Sequence, residues 1–149
     1  MRTAIALGLF LTPVALAQTG DRPDPARAEW KRLEGVWEGY VVEGRGEKAN
    51  RGPVHLRLTV AGETMTAVDL DNGNKDLGTG KLTLDPTGPL RQLDAVGAPL
   101  PAKREKAFLG VYELDGDTLR WCVGNKKGVR PEEFRSFNGN YLLVLKRKK

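Results

Sequence analysis

The sequence predicts an all-β protein, an eight-stranded antiparallel up-and-down barrel with a short N-terminal helix. Three observations carry this reading. After Gly35 the chain runs in apolar or alternating pieces of five to nine residues, separated by Gly, Pro, Asn and Asp. No segment beyond Leu33 keeps a 3.6-residue period, so the crossover helices of a parallel sheet are missing. Gly78, Gly80 and Gly110 stand inside strands, where glycine weakens a flat sheet but permits the bending that barrel closure demands, which favours a barrel over a sandwich.

The first segment, Met1 to Ala17, reads as a secretory signal. Arg2 supplies a short positive region, an apolar run follows to Leu16, and Ala15-Leu16-Ala17 is the small-x-small pattern that signal peptidase cleaves. Pro13 interrupts the run, which is too short for a bilayer span of roughly 20 residues, so the chain is not expected to span a membrane. With no Cys directly following the apolar run, a lipid anchor has no thiol to use. Cleavage after Ala17 leaves 132 of the 149 residues beginning at Gln18 and takes the net charge from +5 to +4. The address implied is periplasmic or extracellular, and the sequence leaves these two open.

Residues 18–25 are polar with two prolines and read as a tether, leaving residues 26–149 as one barrel domain of ordinary size. Asp24 before Pro25 is a helix N-cap with proline at the first helical position, and Gly35 sits where the helix stops. Ala26, Trp30 and Leu33 form its single apolar stripe. Strands are expected at about Val36–Glu43, Val54–Val60, Thr64–Asp71, Leu77–Asp85, Arg91–Val96, Ala107–Leu114, Thr118–Val123 and Tyr141–Lys146. Asp115-Gly116 marks a tight hairpin in which Gly accepts positive φ. For Asn72-Gly73-Asn74 a three-residue loop that sets Asp71 opposite Lys75 is preferred, because it avoids facing two aspartates.

Strand phase sorts the side chains. Leu56, Leu58 and Val60 share the inner face, while His55, Arg57 and Thr59 face solvent. Leu82, Leu84, Tyr112, Leu119, Trp121, Tyr141 and Leu143 join the inner set. Two stretches, Phe108–Leu114 and Tyr141–Leu145, are apolar on both faces. Their outer residues need a cover, and either the Trp30 helix or another subunit would supply it.

The chemistry available is narrow. One Cys and one His exclude a disulfide framework and any Cys/His zinc site, and no partners for a nucleophilic triad are placed beside His55. Cys122, alone in an oxidising compartment, is expected to be buried. The oxygen-rich run Asp69, Asp71, Asn72, Asn74 and Asp76 fits no EF-hand register and reads as a turn, with weak adventitious calcium as the other reading. Glu132 and Glu133 are adjacent and point apart. Arg130, held extended by Pro131, either pairs with an acid to anchor the loop from Gly124 to Asn140 or receives an anion.

Basic residues gather at Lys103-Arg104-Lys106, Lys126-Lys127 and Lys146 to Lys149. With 19 acids interleaved and no aromatic platforms among them, nucleic acid is not the expected partner. Solvated loops are, with an anionic envelope surface as the functional alternative.

Leu33-Glu34-Gly35-Val36-Trp37 is similar to the Gly-x-Trp entrance of the lipocalin and calycin superfamily. Gly110 to Leu119, Arg130-Pro131-Glu132-Glu133-Phe134 and Leu142 to Arg147 together resemble a family of small secreted lipocalin-like proteins of planctomycete bacteria, which has no assigned activity. The resemblance runs from about Trp30 to the C-terminus. It implies a lipocalin-like barrel whose Trp37 packs at the closed end against a basic side chain, Arg147 or alternatively Lys146, with Gly35, Arg130, Pro131 and Phe134 as structural positions. Between Gly97 and Lys106 the sequence departs from that pattern, which puts that end of the barrel in question.

An eight-stranded barrel is just wide enough to be packed solid or to hold one small ligand, and the sequence leaves both open. The first functional reading is non-catalytic binding of a small apolar or amphipathic molecule, with Leu56, Leu58, Leu82, Leu84, Tyr112, Trp121, Tyr141 and Leu143 as the lining. The alternative is a filled barrel that acts as an envelope or structural module with a protein partner. No nucleophile, base and orienter are spaced for catalysis, and no cofactor is implied.

Overall fold

A computed structural model describes residues 24–43, 54–98, 106–124, 128–136 and 140–149. The signal segment, most of the tether, Lys103, Arg104, Lys126 and Lys127 lie outside the described residues. Helix α1 (Pro25–Leu33) is followed by β1 (Gly35–Glu43), β2 (Val54–Ala61), β3 (Thr64–Asp69), β4 (Lys75–Asp85), β5 (Arg91–Ala98), β6 (Lys106–Asp115), β7 (Thr118–Val123) and β8 (Tyr141–Arg147). Each strand pairs antiparallel with the next and β8 returns to β1, so the barrel is closed.

Local chemistry accounts for the ends of α1. The Asp24 carboxylate accepts from the Ala26 N–H at 3.0 Å, and Lys31 and Arg32 occupy the last turn, where cations complement the helix dipole. Gly35, at φ +126°, then turns the chain into β1. A side chain there would also meet the Arg147 guanidinium at 2.8 Å. The helix lies across the end of the barrel formed by the start of β1 and the end of β8, and Leu33 joins the interior core.

The β6–β7 hairpin follows the expected register, with Asp115 opposite Thr118 and Gly116 at φ +53°. The β3–β4 turn does not. Asp69, rather than Asp71, faces Lys75, and residues 70–74 form the turn, with Gly73 and Asn74 at φ 66° and 60°. Opposite charges still face each other, but the Asp69 carboxylate accepts from the Asp71 N–H and the Asn72 amide, drawing two more residues into the turn. A register shift at Ala67/Val68 absorbs the difference.

The glycines also do more than bend strands. At Gly97 a Cβ would sit 2.3 Å from the Thr79 carbonyl and 2.7 Å from Gly80 Cα, so β4 and β5 approach too closely for any side chain. Gly39, which strand phase did not single out, is equally obligatory against the Val144 carbonyl of β8.

The outer apolar patch is covered from within the chain. Val111, Cys122, Leu142 and Val144 form a buried satellite cluster beneath Leu90 and Phe134. Neither α1 nor a second subunit is needed, which corrects the two covers inferred from sequence. Phe134 can do this because Arg130 is tied down upstream: its guanidinium bridges the Asp94 carboxylate, with Nη2 2.8 Å from Oδ2, and donates to the Gly110 carbonyl at 2.8 Å. Arg120 lies over the Phe134 ring, 5.6 Å from its centroid. Pro131 is buried beside this anchor and Glu132 and Glu133 are exposed. Arg130 is thus engaged by an acid, as one of its two sequence readings requires, and the anion-receptor reading falls because its charge is already neutralised.

Candidate binding chamber

One end of the barrel is filled. Trp37 is fully buried, its indole N–H donates to the Leu33 carbonyl at 2.8 Å, and the Arg147 guanidinium lies 4.2 Å from its ring. Arg147 donates to the Glu34 carbonyl at 2.6 Å and to the Arg32 carbonyl. One cation therefore links β8 to the open carbonyls at the end of α1 and to β1. Of the two basic side chains offered for this place, Arg147 occupies it, while Lys146 reaches the Thr118 hydroxyl.

A second lock lies on the other side of the helix. Glu29, buried on α1, pairs with Arg32 and Arg91 at 2.8 Å each and accepts from the Tyr112 hydroxyl at 3.1 Å. Burial of the phenol, followed by the adjacent Glu29 carboxylate, holds the Tyr112 pKa well above its ordinary value. The cluster ties α1 to β5 and β6. Its strand partners are 62 and 83 positions away from Glu29, so nothing local in the sequence announces the tie to β5 and β6.

The other end is hollow. An apolar chamber of about 380 Å³ lies inside β1–β8 on the side away from α1. Val41, Val54, Leu56, Leu58, Trp121, Val123 and Leu143 give it a bulky wall, and Ala67, Gly78, Thr79, Gly80, Ala95 and Gly97 give it a wall of small residues. Met65, Leu77, Phe108 and Tyr141 complete the lining. No charged side chain lines it among the described residues. The Trp121 indole N–H is spent on the Leu93 carbonyl at 2.9 Å, so the ring presents an apolar face.

Of the eight lining residues expected from sequence, Leu56, Leu58, Trp121, Tyr141 and Leu143 surround the chamber. Leu82, Leu84 and Tyr112 do not. They face inward at the filled end, where Leu82 and Tyr112 are fully packed in the core and Leu84 lies against it. Sequence phase fixes the face of a strand but not the height at which the barrel stops being full. The small residues were the available signal: Ala95 and Gly97 alternate inward on β5, as do Gly78 and Gly80 on β4.

The remaining sequence candidates resolve into structural parts. His55 faces outward, stacks on Tyr40 with ring centroids 4.5 Å apart, and lies 3.6 Å from Asp71. Cys122 is fully buried. Among the described residues no group of His, Cys, Asp and Glu is arranged to hold a metal, and no helix is long and apolar enough to cross a membrane.

Fold and site together define a closed up-and-down β-barrel with an internal apolar chamber. Comparisons with protein-family models, curated proteins and solved structures find no match for this chain.

Proposed function

We propose that this protein is a secreted, non-catalytic, lipocalin-like carrier or sensor that takes up a small apolar or amphipathic molecule. The observation that carries the reading is the 380 Å³ apolar chamber, which falls in the usual range of small-molecule pockets. An apolar cavity of about 150 Å³ stays dry and admits one benzene, so this volume suits a molecule of about fifteen non-hydrogen atoms. The pairing of Trp37 with Arg147 supports the lipocalin-like kinship, and export with cleavage after Ala17 would be seen as a mature N-terminus at Gln18 by mass spectrometry.

The alternative, a filled barrel acting as a module, is disfavoured by the same chamber. The deciding experiment is a titration with linear alcohols from hexanol to tetradecanol, followed by the fluorescence of Trp121 in the chamber wall. Each added methylene is worth about 0.8 kcal/mol, so affinity should rise roughly fourfold per carbon and level off near twelve carbons as the space fills. Absence of saturable binding across the series would overturn the proposal.

A further inference from the structure

The chamber explains an alkyl or aromatic body but leaves the chemistry of a head group undecided. Lys106 opens β6, and strand alternation places it on the same face as Phe108 and Gly110. Its Nζ lies 4.8 Å from the Phe108 ring centroid, and its register partner on β5 is Gly97. Phe108 and Gly97 both line the chamber, so an exposed ammonium stands at the chamber's edge.

Two further observations bear on what that charge is for. Among the described residues no carboxylate forms an ion pair with Lys106, whose ammonium lies over the Phe108 ring. Asp69, on the same face of β3 as Met65 and Ala67, is the one described carboxylate turned inward at this end. It is occupied by the Asp71 N–H and the Asn72 amide and faces Lys75 in register. His55 and Asp71 belong to the outer face.

An exposed cation–π contact is weak, and the four-carbon lysine stem turns freely, so the ammonium can leave the ring for an anion at little cost. We propose, building on the binding reading above, that the ligand is a single-chain anionic amphiphile, with its chain in the chamber and its carboxylate or phosphate head paired with Lys106. The wall of small residues beside Lys106 supports this arrangement, because among the described residues Gly80 and Gly97 put no side chain between head and chain.

The test uses three probes of equal chain length, dodecanoate, dodecanol and dodecylammonium, on the wild-type protein and on Lys106→Gln, at low and high salt. Dodecanoate should bind the wild type best. Lys106→Gln should weaken dodecanoate roughly two- to fivefold, the range of an exposed ion pair, and leave dodecanol unchanged. High salt should erase the same difference in the wild type. Lys106→Glu should reverse the preference towards dodecylammonium. If dodecanol binds but the Lys106 substitutions do not alter the ranking of the charged probes, the head-group assignment is wrong and the binding reading stands. If no probe binds, both fall. Should Lys106→Gln fail to fold, the wild-type ranking and its salt dependence decide the question alone.

Discussion

The two ends of this barrel are built from the same eight strands and differ in how they use their interior. At the helix end, Leu33, Trp37, Leu82, Tyr112, Leu119 and Leu145 fill the space to full burial, and α1 closes it with the Glu29 and Arg147 locks. At the other end β3, β4 and β5 contribute Ala67, Gly78, Thr79, Gly80, Ala95 and Gly97, and the interior stays open. The difference teaches that strand pattern sets the barrel and side-chain volume at inward positions sets where it is hollow. Packing is therefore concentrated at one end and open space at the other, and substitutions should separate stability from the proposed binding.

The largest separation is expected from Trp37→Ala. The indole is fully buried, it supports the Arg147 guanidinium, and its N–H is paired with Leu33. Truncating a buried tryptophan costs about 3–5 kcal/mol through lost burial and the cavity left behind. Urea unfolding should show that loss at the midpoint. A loss below about 1 kcal/mol would mean that the helix end is not the stabilising half, against the usual cost of large core truncations.

Ala67→Phe tests the hollow half in the opposite sense. A ring placed there enters open space rather than a packed core, so the overpacking cost of about 1–3 kcal/mol seen in dense interiors should not arise. Thermal unfolding should move little, while dodecanol affinity should fall tenfold or more, about 1.4 kcal/mol, as the volume is taken up. Strong destabilisation with binding intact would reverse the assignment of the two ends.

Much of the first half of this comparison was legible before the fold. Alternating or continuous apolar runs between turn residues located all eight strands, the Asp24-Pro25 cap located the helix, and the resemblance singled out Trp37 with a basic partner. The chamber was only partly legible: the inward small residues of β4 and β5 are a signal, but each looks the same whether its neighbours across the sheet are large or small. Only the register, with Gly80 beside Gly97 and Gly78 beside Ala67, brings the small residues together into one wall. Glu29 was missed for a related reason: an acid on a short helix reads as solvated until Arg91 and Tyr112 arrive from β5 and β6. Leu142 and Val144 were recognised as needing a cover, but Phe134 reaches them only because Arg130 finds Asp94, a long-range pairing that spacing does not reveal.

The smallest effect, and the one that sharpens the account of the helix end, is on the alkaline side. The Tyr112 pKa is raised by burial and by the adjacent Glu29 carboxylate above its ordinary value of 10.0. In the folded protein the phenol holds its proton to higher pH than in the unfolded chain. Its contribution to stability is thus fully present below about pH 10 and is lost as pH rises from there towards the folded value, by up to about 1.4 kcal/mol per pH unit. Lysines also begin to titrate in this window, so the measurement is the difference between the wild type and Tyr112→Phe in melting temperature from pH 8 to 11. The phenylalanine variant should start lower, having lost the hydrogen bond to Glu29, and should decline less steeply above pH 10. Parallel curves would mean that the phenol is not confined beside Glu29, and the helix would then lack its tie to β6 through Tyr112 while keeping the Glu29–Arg91 pair to β5.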